Sequence, residues 1–436
     1  MKIVIVGGGA GGLELATKLG QKLGKKGRAE VVLVDRSQTH IWKPLLHEVA
    51  SGSLDADVEG VSYRAHGHIN GYTFKLGELS GVNPETRTIQ LRAMQNAQGE
   101  EFLPARIESY DLLVLAIGSV ANDYGTAGVA LHCIFLDSLK QAKRFHQRLL
   151  EKFIQLNKRL EEGDTQSVLR VAIIGGGATG VELAAELHRA REWFATYGLK
   201  NLTAEHLQLT LIEAGPRLLP QLNERISGGA AAELVNLGVD VRTNTAVTAA
   251  TNEGFETGSG ELIAADMMVW AAGVKAPEFL TQIPGLEFNR ANQILVKSTL
   301  QSTRYDNLFA LGDCAGFSLP TADGKPRWVP PRAQSAHQMA DTVACNVVRL
   351  LQGKSLQEFR YQDFGSLVSL SDYSAFGRLM GGLARGGLSL EGTLARWAYL
   401  SLYRMHQLAI YGWFRTLLIT ISDRLNRFIR PKLKLH

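Results

Sequence analysis

The chain has 436 residues, of which 45% are hydrophobic, and a formal net charge of +5. This composition predicts a globular protein of two or three domains with a substantial core. Its three cysteines, Cys133, Cys314 and Cys345, are widely spaced, so no disulfide framework, zinc centre or other metal site is expected. Such sparse cysteine use suits a reducing compartment.

The first predicted element is a strand–turn–helix unit, KIVIVGGGAGGLELATKLG. The chain begins directly with the buried strand, residues 2–6, which leaves no room for a signal peptide. Gly7, Gly9 and Gly12 form a GxGxxG pattern that opens a helix, and a second strand, EVVLVD, ends on Asp35. Such glycines let the backbone approach a pyrophosphate, and such an acid accepts hydrogen bonds from a ribose. A bound dinucleotide is therefore predicted here.

Two segments lie between this unit and its repeat. YDLLVLAIGS (110–119) is predicted to be a buried strand, and its small final residues would let a nucleotide lie against the strand end. The charged stretch 137–162 is predicted to be a connecting helix, most simply one with a solvated face.

The strand–turn–helix unit recurs as RVAIIGGGATGVELAAELH. Gly175, Gly177 and Gly180 repeat the glycine pattern, and the next strand, LQLTLIEAG, carries Glu213. The interval between the last glycine and the acid is longer than usual, so residues 189–206 are predicted to add a helix and loop. One such motif is weak evidence, but two in the same structural context predict two bound dinucleotides.

The acid of the second motif indicates which nicotinamide cofactor is bound. Glu213 would repel a 2′-phosphate, so NADH is expected rather than NADPH. Arg217 lies nearby and leaves NADPH as an alternative, although a solvated loop position explains it more simply.

Two later buried strands complete the predicted nucleotide architecture. DMMVWAAGV (266–274) ends in small residues, and NLFALGDCA (307–315) delivers Gly312 and Asp313. In a protein with two dinucleotide sites this pair suits FAD, with Asp313 receiving ribityl hydroxyls. The alternative for Asp313 is a structural turn or helix-cap residue.

A helix is predicted to begin within PPRAQSAHQ, residues 330–338, without a capping side chain. Its first N–H groups are then available to a ligand that carries negative charge. Gln334 and Gln338 lie four residues apart on one face among small residues. The helix is expected to bury Ala336, Ala340, Val343, Val347 and Leu350.

The basic charge is concentrated at the end of the chain. Residues 396–436 carry a net charge of +7, whereas the other residues sum to −2. This tail is also rich in aromatic and apolar residues, which argues for an amphipathic helix on an anionic lipid surface and against nucleic acid. The alternative is a helix docked on the core or on a second subunit, and Gly412 is a candidate bend. No run of about 18 uncharged apolar residues predicts a membrane-spanning helix.

Several motifs together resemble a known family. The paired glycine motifs, LAIGS, WAAG and ALGDCA are similar to flavoprotein reductases with two dinucleotide-binding domains. More narrowly, WKPLLHEVASGSLD (42–55), VPPRAQSAHQMA (329–340) and LYRMHQLAIYGWF (402–414) resemble the bacterial type II NADH:quinone oxidoreductases. This resemblance implies non-covalent FAD, NADH as donor and a membrane quinone as acceptor. It also implies peripheral attachment to the cytoplasmic face of the inner membrane, and a homodimer is compatible with it.

The resemblance also implies residue roles. The residues implied to bind FAD are Gly7, Gly9, Gly12, Asp35, Lys43, Gly118, Gly312, Asp313 and Gln334. Those implied to bind NADH are Gly175, Gly177, Gly180, Glu182, Glu213 and Gly273. The implied catalytic residues are Glu182 and the two amides, Gln334 and Gln338, which the quinone approaches.

Two titratable residues allow more than one interpretation. Glu182, expected in the first turn of its helix, either relays a proton or complements the helix dipole. His337 lies within one turn of both amides and is more simply a packed or solvated residue than a catalytic one.

The predicted fold is α/β, with two Rossmann-like dinucleotide-binding domains and a C-terminal amphipathic membrane-association module. The FAD domain is assigned to residues 1–130 and 286–370, the connector to 131–165, the NADH domain to 166–285 and the membrane module to 371–436. The predicted activity is respiratory NADH:quinone reduction without proton pumping.

Three other functions share parts of this pattern. A disulfide reductase needs a redox cysteine pair, which the spacing of the cysteines does not offer. A sulfide:quinone reductase would not need the second nucleotide motif, and a flavin-bound NADH sensor would bind NADH without steady turnover.

Overall fold

The computed structural model describes residues 1–96, 98–191, 194, 198–319, 326–370, 374–379, 388–391 and 393–429. The chain divides into two compact units. The first comprises Met1–Trp42, Gly60–Val120 and Val274–Gln362, and the second comprises Lys43–Glu59, Ala121–Gly273 and Asp363–His436. The predicted domain boundaries stay predictions.

The first unit is built on a parallel sheet of five strands within the described residues. In spatial order the strands are Leu308–Ala310, Leu112–Leu115, Lys2–Val6, Glu30–Asp35 and Thr73–Leu76. Each of the middle three is almost continuously apolar and buried, as expected for a parallel sheet covered on both faces. The predicted strand at 2–6 is confirmed, but those at 110–119 and 307–315 are shorter than predicted. Their chains leave the sheet in turns, where Gly118 and Gly312 have positive φ.

Two long helices of the first unit pack on each other. They are Ala10–Leu19, here called the first glycine helix, and Ala333–Leu351, the amide helix. A Cβ added to Gly11 would lie 2.9 Å from the carbonyl oxygen of Ala336, so glycine permits the close approach. The uncapped start of the amide helix is confirmed, because Arg332 precedes it without a side-chain cap.

The predicted buried face of the amide helix is mostly correct. Ala340, Val343 and Val347 are buried and Ala336 is half-buried. Leu350 is 37% exposed, so that prediction was wrong: the residue lies in the last turn of the helix, where Leu351 is exposed as well.

Smaller elements complete the first unit. An antiparallel sheet contains Leu79–Asn83, Thr88–Leu91 and Arg106–Ser109. The remaining helices, turns and short strands include Gly20–Gly24, Thr39–His40, Val61–Ser62, Tyr63–Asn70, Met94–Gln95, Glu101–Leu103, Glu278–Gln282, Ile294–Leu295, Gly312–Cys314, Ala315–Gly316, Ser318–Leu319 and Arg327–Trp328.

The second unit repeats the parallel arrangement. Its described strands lie in the order Ile134–Phe135, Met267–Trp270, Leu169–Ile174, Leu207–Ile212 and Val239–Arg242. The helix that follows the second glycine motif, Ala178–Ala190, is here called the second glycine helix. The 3₁₀ turn Ala204–His206 lies in the predicted insertion, and residues 192, 193 and 195–197 of that insertion lie outside the described residues.

The predicted connector helix is present as Leu139–Glu161, capped by the side chain of Ser138. It is not solvated all round, because Phe145, Leu149 and Phe153 on one face are buried. The other described elements of the second unit include Lys43–Leu45, Leu46–Ser51, Ala56–Glu59, Val129–His132, Glu224–Asn236, Val247–Ala250, Gly254–Thr257, Leu262–Ala264, Gly365–Leu370, Ser374–Leu379 and Leu388–Glu391.

The tail forms two helices rather than one bent helix. They are Thr393–Tyr411 and Trp413–Ile429, and Gly412 separates them with a φ of +76°, which ends an α-helix. His406 and Gln407 are buried, whereas Trp413 is 72% exposed and Leu425 is 58% exposed. No helix in the described part of the chain is both long enough and apolar enough to cross a bilayer.

Candidate active site

The first glycine motif has a separate physical reason for each glycine. Gly7 has a φ of +103°, which favours glycine over any residue with a side chain. A Cβ on Gly12 would lie 1.8 Å from the carbonyl oxygen of Gly7, so glycine lets the helix pack on the strand. Gly9, at the helix start, has ordinary extended backbone and no atom within 4 Å of an added Cβ. The space beside Gly9 is therefore open, as an approaching pyrophosphate requires.

Asp35 closes the motif at the end of its strand. Its Oδ2 accepts a hydrogen bond from the Gly8 N–H at 2.6 Å, and its Oδ1 accepts one from the Ser37 N–H at 2.7 Å. Burial raises the pKa of the carboxyl, against these two N–H groups, which lower it. Each oxygen keeps a second lone pair, so the predicted ribose contact remains geometrically open.

The predicted GD pair lies at one edge of a cavity in the same unit. The Ser119 hydroxyl donates to Oδ2 of Asp313 at 2.6 Å, and the Gln293 side chain donates to the Asp313 carbonyl at 2.9 Å. Ser119 and Asp313 line a cavity of about 870 Å³ that extends to Pro330 and Pro331, just before the amide helix. Asp313 belongs to a 3₁₀ turn whose start has no side-chain cap, and the residue lines this cavity.

These features fit FAD. The first glycine helix lacks a side-chain cap, and the positions beside Gly9 and Gly118 are open. An uncapped helix start suits the anionic middle of a dinucleotide, and the cavity at Asp313 suits the ribityl chain and the ring beyond it. Lys43, also predicted for this site, belongs to the second unit, where its ammonium lies 3.7 Å from Asp137.

The second glycine motif has the same geometry. Gly175 has a φ of +112°, and a Cβ on Gly180 would lie 2.0 Å from the Gly175 carbonyl oxygen. Gly177 again has open space around an added Cβ. Gly273, three residues after the strand Met267–Trp270, has a φ of +65°, and a Cβ there would lie 2.0 Å from the Tyr124 hydroxyl.

The acid of the second motif is held by backbone on both oxygens. Glu213 accepts from the Gly176 N–H and from the Gly215 N–H, each at 2.7 Å. The guanidinium of Arg217 donates to the carbonyls of Leu222 and Pro220, at 2.8 and 3.0 Å. Arg217 is thus hydrogen-bonded within its own loop.

Glu182 is not in the first turn of its helix, as predicted, but is the fifth residue of Ala178–Ala190. The helix dipole acts mainly within the first turn, so complementing it does not explain this carboxyl. Glu182 is 6% exposed, accepts from the Ser369 N–H at 3.2 Å and lies 3.5 Å from Nδ1 of His47. Burial, together with the nearby Glu48 and Glu186, raises its pKa well above the ordinary value.

His47 is as buried as Glu182. Burial lowers the pKa of its imidazole to about 4. Both shifts favour the neutral form of their group, so burial places the proton preferentially on the carboxyl of Glu182 and not on the imidazole of His47. A buried protonated carboxylic acid is chemically able to donate a proton and then recover it.

Sequence reasoning missed Glu14, a carboxyl that is 1% exposed on the first glycine helix. It is hydrogen-bonded and ion-paired with Nδ1 of His337 on the amide helix, and this hydrogen bond raises the pKa of His337. Lys18 and Asp341 complete the cluster. His337 is therefore an ion-paired residue, neither merely packed nor solvated. The repeated motif could have indicated Glu14, because Glu14 and Glu182 each follow the last glycine of their motif by two residues.

The two amides of the amide helix have different surroundings. Gln338 donates to the Gln362 carbonyl at 2.8 Å and accepts from the Gln362 N–H at 2.9 Å. Gln334 is half-buried, one turn closer to the helix start. The carboxamide of Gln338 thus holds a neighbouring segment and retains one N–H for a ligand.

The cysteines do not form a redox pair. Cys133, Cys314 and Cys345 are all free, and Cys314 is fully buried. Burial raises the pKa of Cys133 to about 12 and that of Cys314 to about 11, so both are protonated thiols near neutral pH. Among the described residues no cluster of three or more His, Cys, Asp or Glu side chains could hold a metal ion.

Comparison with known proteins adds independent information. Residues 1–340 match the family model described as pyridine nucleotide-disulphide oxidoreductase. A type II NADH:quinone oxidoreductase of Haemophilus influenzae is 48% identical over 100% of this chain and 99% of its own length. One from Staphylococcus aureus is 30% identical over 87% of this chain and 90% of its own.

The solved structures give the same fold. NDH2 from Plasmodium falciparum, solved in complex with NADH, superposes with a TM-score of 0.79 and covers 99% of both chains at 20% identity. A sulfide:quinone oxidoreductase from Aquifex aeolicus has a TM-score of 0.68 at 17% identity, covering 94% of this chain and 92% of its own. Family membership rests on the much higher sequence identities: the chain belongs to the pyridine nucleotide-disulphide oxidoreductases and, within them, to the type II NADH:quinone oxidoreductases.

Proposed function

We propose that this chain oxidises NADH through FAD and reduces a membrane quinone to quinol in the respiratory chain, without pumping protons. The enzyme class follows from family membership, since the chain is an oxidoreductase of a flavoprotein family that uses NADH. The observation that carries the proposal is the pair of complete glycine motifs, each with open space at its helix start and a carboxylate at its strand end.

FAD, when bound, accepts a hydride from NADH and passes two electrons onward. The residues of the first unit bind and orient it. Gly9 and the uncapped first glycine helix receive the pyrophosphate, and Asp35 receives the ribose. Asp313, fixed by the Ser119 hydroxyl, receives the ribityl hydroxyls.

The second motif binds the donor. Gly177 gives the pyrophosphate of NADH access to the start of the second glycine helix, and Glu213 receives the ribose hydroxyls. NADPH is disfavoured, because its 2′-phosphate would face the Glu213 carboxylate while Arg217 remains bonded to loop carbonyls.

The quinone is bound beside the amide helix. Gln334, near the uncapped helix start, donates to a quinone carbonyl, and Gln338 contributes the N–H that its bonds to Gln362 leave over. Ala333 and Ala336 keep side-chain bulk low on the same turns. In Gln334→Leu we expect a raised KM for a quinone analogue, with a much smaller change in the rate of flavin reduction by NADH. A change in flavin reduction alone would count against the assignment.

Glu182 supplies a proton to the reaction. The carboxyl is buried and its pKa is raised, and the pKa of the neighbouring His47 is lowered, so both shifts favour the proton on Glu182. Glu182→Gln keeps the shape but cannot release a proton, so quinone turnover should fall and lose its alkaline pH dependence. Turnover identical to wild type at every pH would remove the relay.

The tail attaches the protein to the cytoplasmic face of the membrane through anionic lipid. Several large apolar side chains of Trp413–Ile429 are about half exposed or more: Trp413, Phe414, Leu417, Leu418, Ile421 and Leu425. Apolar residues of this kind enter the bilayer interface, and the basic residues of 396–436 attract acidic headgroups. A second copy of the chain covering the same helix is the alternative.

Membrane attachment can be tested with vesicles. Phe414→Ser combined with Leu418→Ser should reduce co-sedimentation with vesicles of anionic lipid, and Leu131→Ser is the matched control. Leu131 is 82% exposed in the second unit but lies outside the tail. Equal vesicle binding by both variants would reject the tail as the anchor, and a change in sedimentation mass without lipid would favour the second copy.

The activity itself is tested by stopped-flow absorbance. NADH should bleach the bound flavin completely, and a soluble quinone analogue should restore its colour. Reduction by sulfide without NADH would favour a sulfide:quinone reductase. Flavin that NADH reduces but quinone does not reoxidise would favour a sensor.

A further inference from the structure

Two side chains converge on a single carbonyl in the first glycine motif. The Tyr63 hydroxyl donates to the Gly8 oxygen at 2.7 Å, and Nδ1 of His40 lies 2.9 Å from the same oxygen. Tyr63 is 3% exposed and His40 is 4% exposed, so neither contact competes with solvent. Because a carbonyl only accepts, His40 must carry a proton on Nδ1.

The ring of Tyr63 is itself firmly placed. It stacks on Phe74 with ring centroids 5.1 Å apart, and a Cβ on Gly8 would lie 2.4 Å from it. Burial raises the pKa of Tyr63 well above its ordinary value, with Asp35 contributing in the same direction, so the phenol stays protonated and remains a donor. On its other side Gly8 donates its N–H to Asp35. The Gly8 peptide groups are thus fixed by three side chains from three separate chain segments.

The consequence for Gly9 follows from peptide planarity. The C=O of Gly8 and the N–H of Gly9 belong to one planar trans peptide and point in opposite directions. Holding the oxygen toward Tyr63 and His40 turns the Gly9 N–H away from them. Gly9 is the residue at the helix start whose surroundings are open. An N–H group fixed in this direction is prepared for an anionic ligand before the ligand arrives.

The second motif holds the equivalent carbonyl differently. The Gly176 oxygen accepts a hydrogen bond from the backbone N–H of Leu219 at 2.7 Å. Backbone provides that bond whatever the side chain at 219, whereas the bonds to Gly8 depend on the identities of residues 40 and 63.

We propose that Tyr63 and His40 are positioning residues for FAD, holding the Gly8 carbonyl so that the Gly9 N–H points to the pyrophosphate and FAD is released slowly. Neither residue touches the reacting atoms. The proposal rests on FAD occupying the first motif, as proposed above.

The test measures FAD release from purified holoenzyme by the rise in flavin fluorescence after dilution. Tyr63→Phe removes one hydroxyl and keeps the stacked ring, so release should become roughly three- to tenfold faster. His40→Leu should have a similar effect, and His40→Asn, which restores an N–H donor, should recover most of it. The NADH concentration that half-saturates flavin reduction should stay within about twofold of wild type, because the second motif is untouched.

Tyr72→Phe is the matched control. Tyr72 is also a buried tyrosine of the first unit, but its hydroxyl bonds to Nδ1 of His66 and not to the Gly8 carbonyl. Its loss should lower thermal stability without changing FAD release. Equal release from the Tyr63 and Tyr72 variants, or His40→Asn behaving like His40→Leu, would overturn the proposal. If FAD does not occupy the first motif at all, Gly9→Ala will also leave FAD release unchanged. This variant therefore distinguishes failure of the positioning proposal from failure of the proposed FAD site.

Discussion

The two glycine motifs of this chain are nearly identical in sequence, GGGAGGLELA and GGGATGVELA. Their backbones also agree in the three consecutive glycines that begin each motif. Gly7 and Gly175 have positive φ, and the next glycine donates its N–H to the acid at the strand end. The glycine after that stands at the helix start with open space around it. What differs is the support that distant parts of the chain provide. The shared glycine sequence provides a dinucleotide site in each unit. The residues outside the motifs that hold the two backbones in place are different, and this difference can distinguish a cofactor that stays bound from a substrate that exchanges.

The glutamates of the two glycine helices, Glu14 and Glu182, occupy equivalent positions but have different partners. Glu14 faces His337, whose pKa is raised by their hydrogen bond, with Lys18 close by. Glu182 faces His47, whose pKa is lowered to about 4 by burial. The same sequence position therefore carries an ion pair in one unit and, in the other, a pair in which burial disfavours the charged form of both groups. The hydrogen bond to Glu14 and the negative charges of Glu14 and Asp341 favour a charged His337 in the first case, and burial disfavours charge on both groups in the second.

The largest effects should come from substituting the glycine on which each helix packs. Gly12→Ala and Gly180→Ala would each place a methyl group within about 2 Å of a backbone oxygen of the motif. Overpacking of this kind costs about 1–3 kcal/mol or more. Gly12→Ala should yield protein without flavin, whereas Gly180→Ala should retain flavin that NADH no longer reduces efficiently. The flavin absorbance of the purified proteins distinguishes them, and loss of flavin from both would end the assignment of one ligand to each motif.

His47 and His337 should make the free energy of unfolding depend on pH in opposite directions. The pKa of His47 is lowered from 6.5 to about 4, so the folded state binds fewer protons and stability falls as pH falls through that range. Compared with wild type, His47→Gln should lose this acid penalty, worth about 3 kcal/mol by pH 4. Urea unfolding at several pH values measures it.

His337 provides the contrast. Its pKa is raised, so its contribution is present below pH 6.5 and is lost as pH rises through the folded value. His337→Asn should therefore differ from wild type most at acid pH and least at alkaline pH. Glu182→Gln is a control for the sign of these effects. Because the pKa of Glu182 is raised, the wild-type free energy of unfolding falls as pH rises above 4.5, and the variant should lose this fall. If His47→Gln and His337→Asn change the pH profile in the same direction, the contrast between the two pairs is wrong.

The smallest effect concerns cofactor choice. Glu213→Gln removes the charge that faces a 2′-phosphate, so the ratio of kcat/KM for NADPH to that for NADH should rise roughly tenfold. Asp35→Asn makes the equivalent change in the first motif and should leave this ratio unaltered. Equal ratios in all three proteins would indicate that Glu213 does not exclude NADPH.

The features within each glycine motif could be predicted from the sequence. The glycines, the strands before them and the acids after them are adjacent in the chain, so their spacing carries the geometry. The uncapped amide helix was also predictable, because capping depends on the residues at its start.

What sequence reasoning missed comes from distant segments. Nothing near Gly8 in the sequence indicates that Tyr63 and His40 hold its carbonyl. Likewise, the bonds from Gln338 to Gln362 depend on a segment that returns to the helix only in the folded chain. Strand ends were predicted too long because apolar residues continue into turns that the sheet does not include. Comparing the two motifs residue by residue would have revealed Glu14, since Glu182 had already drawn attention to its position.

The central claim is that the two motifs hold different ligands, and the glycine at each helix start tests it most directly. Gly9 and Gly177 have ordinary backbone angles, and an added Cβ meets no protein atom within 4 Å, so alanine should fold normally at either position. Steric overlap between the added methyl group and the ligand should weaken ligand binding by about 1–3 kcal/mol, or roughly five- to 150-fold. The measurement is the NADH dependence of flavin reduction in both variants, alongside their FAD release rates. We predict that Gly9→Ala releases FAD faster with an unchanged NADH dependence, and that Gly177→Ala keeps FAD but needs much more NADH. The opposite pattern, or no change in either variant, would contradict the account.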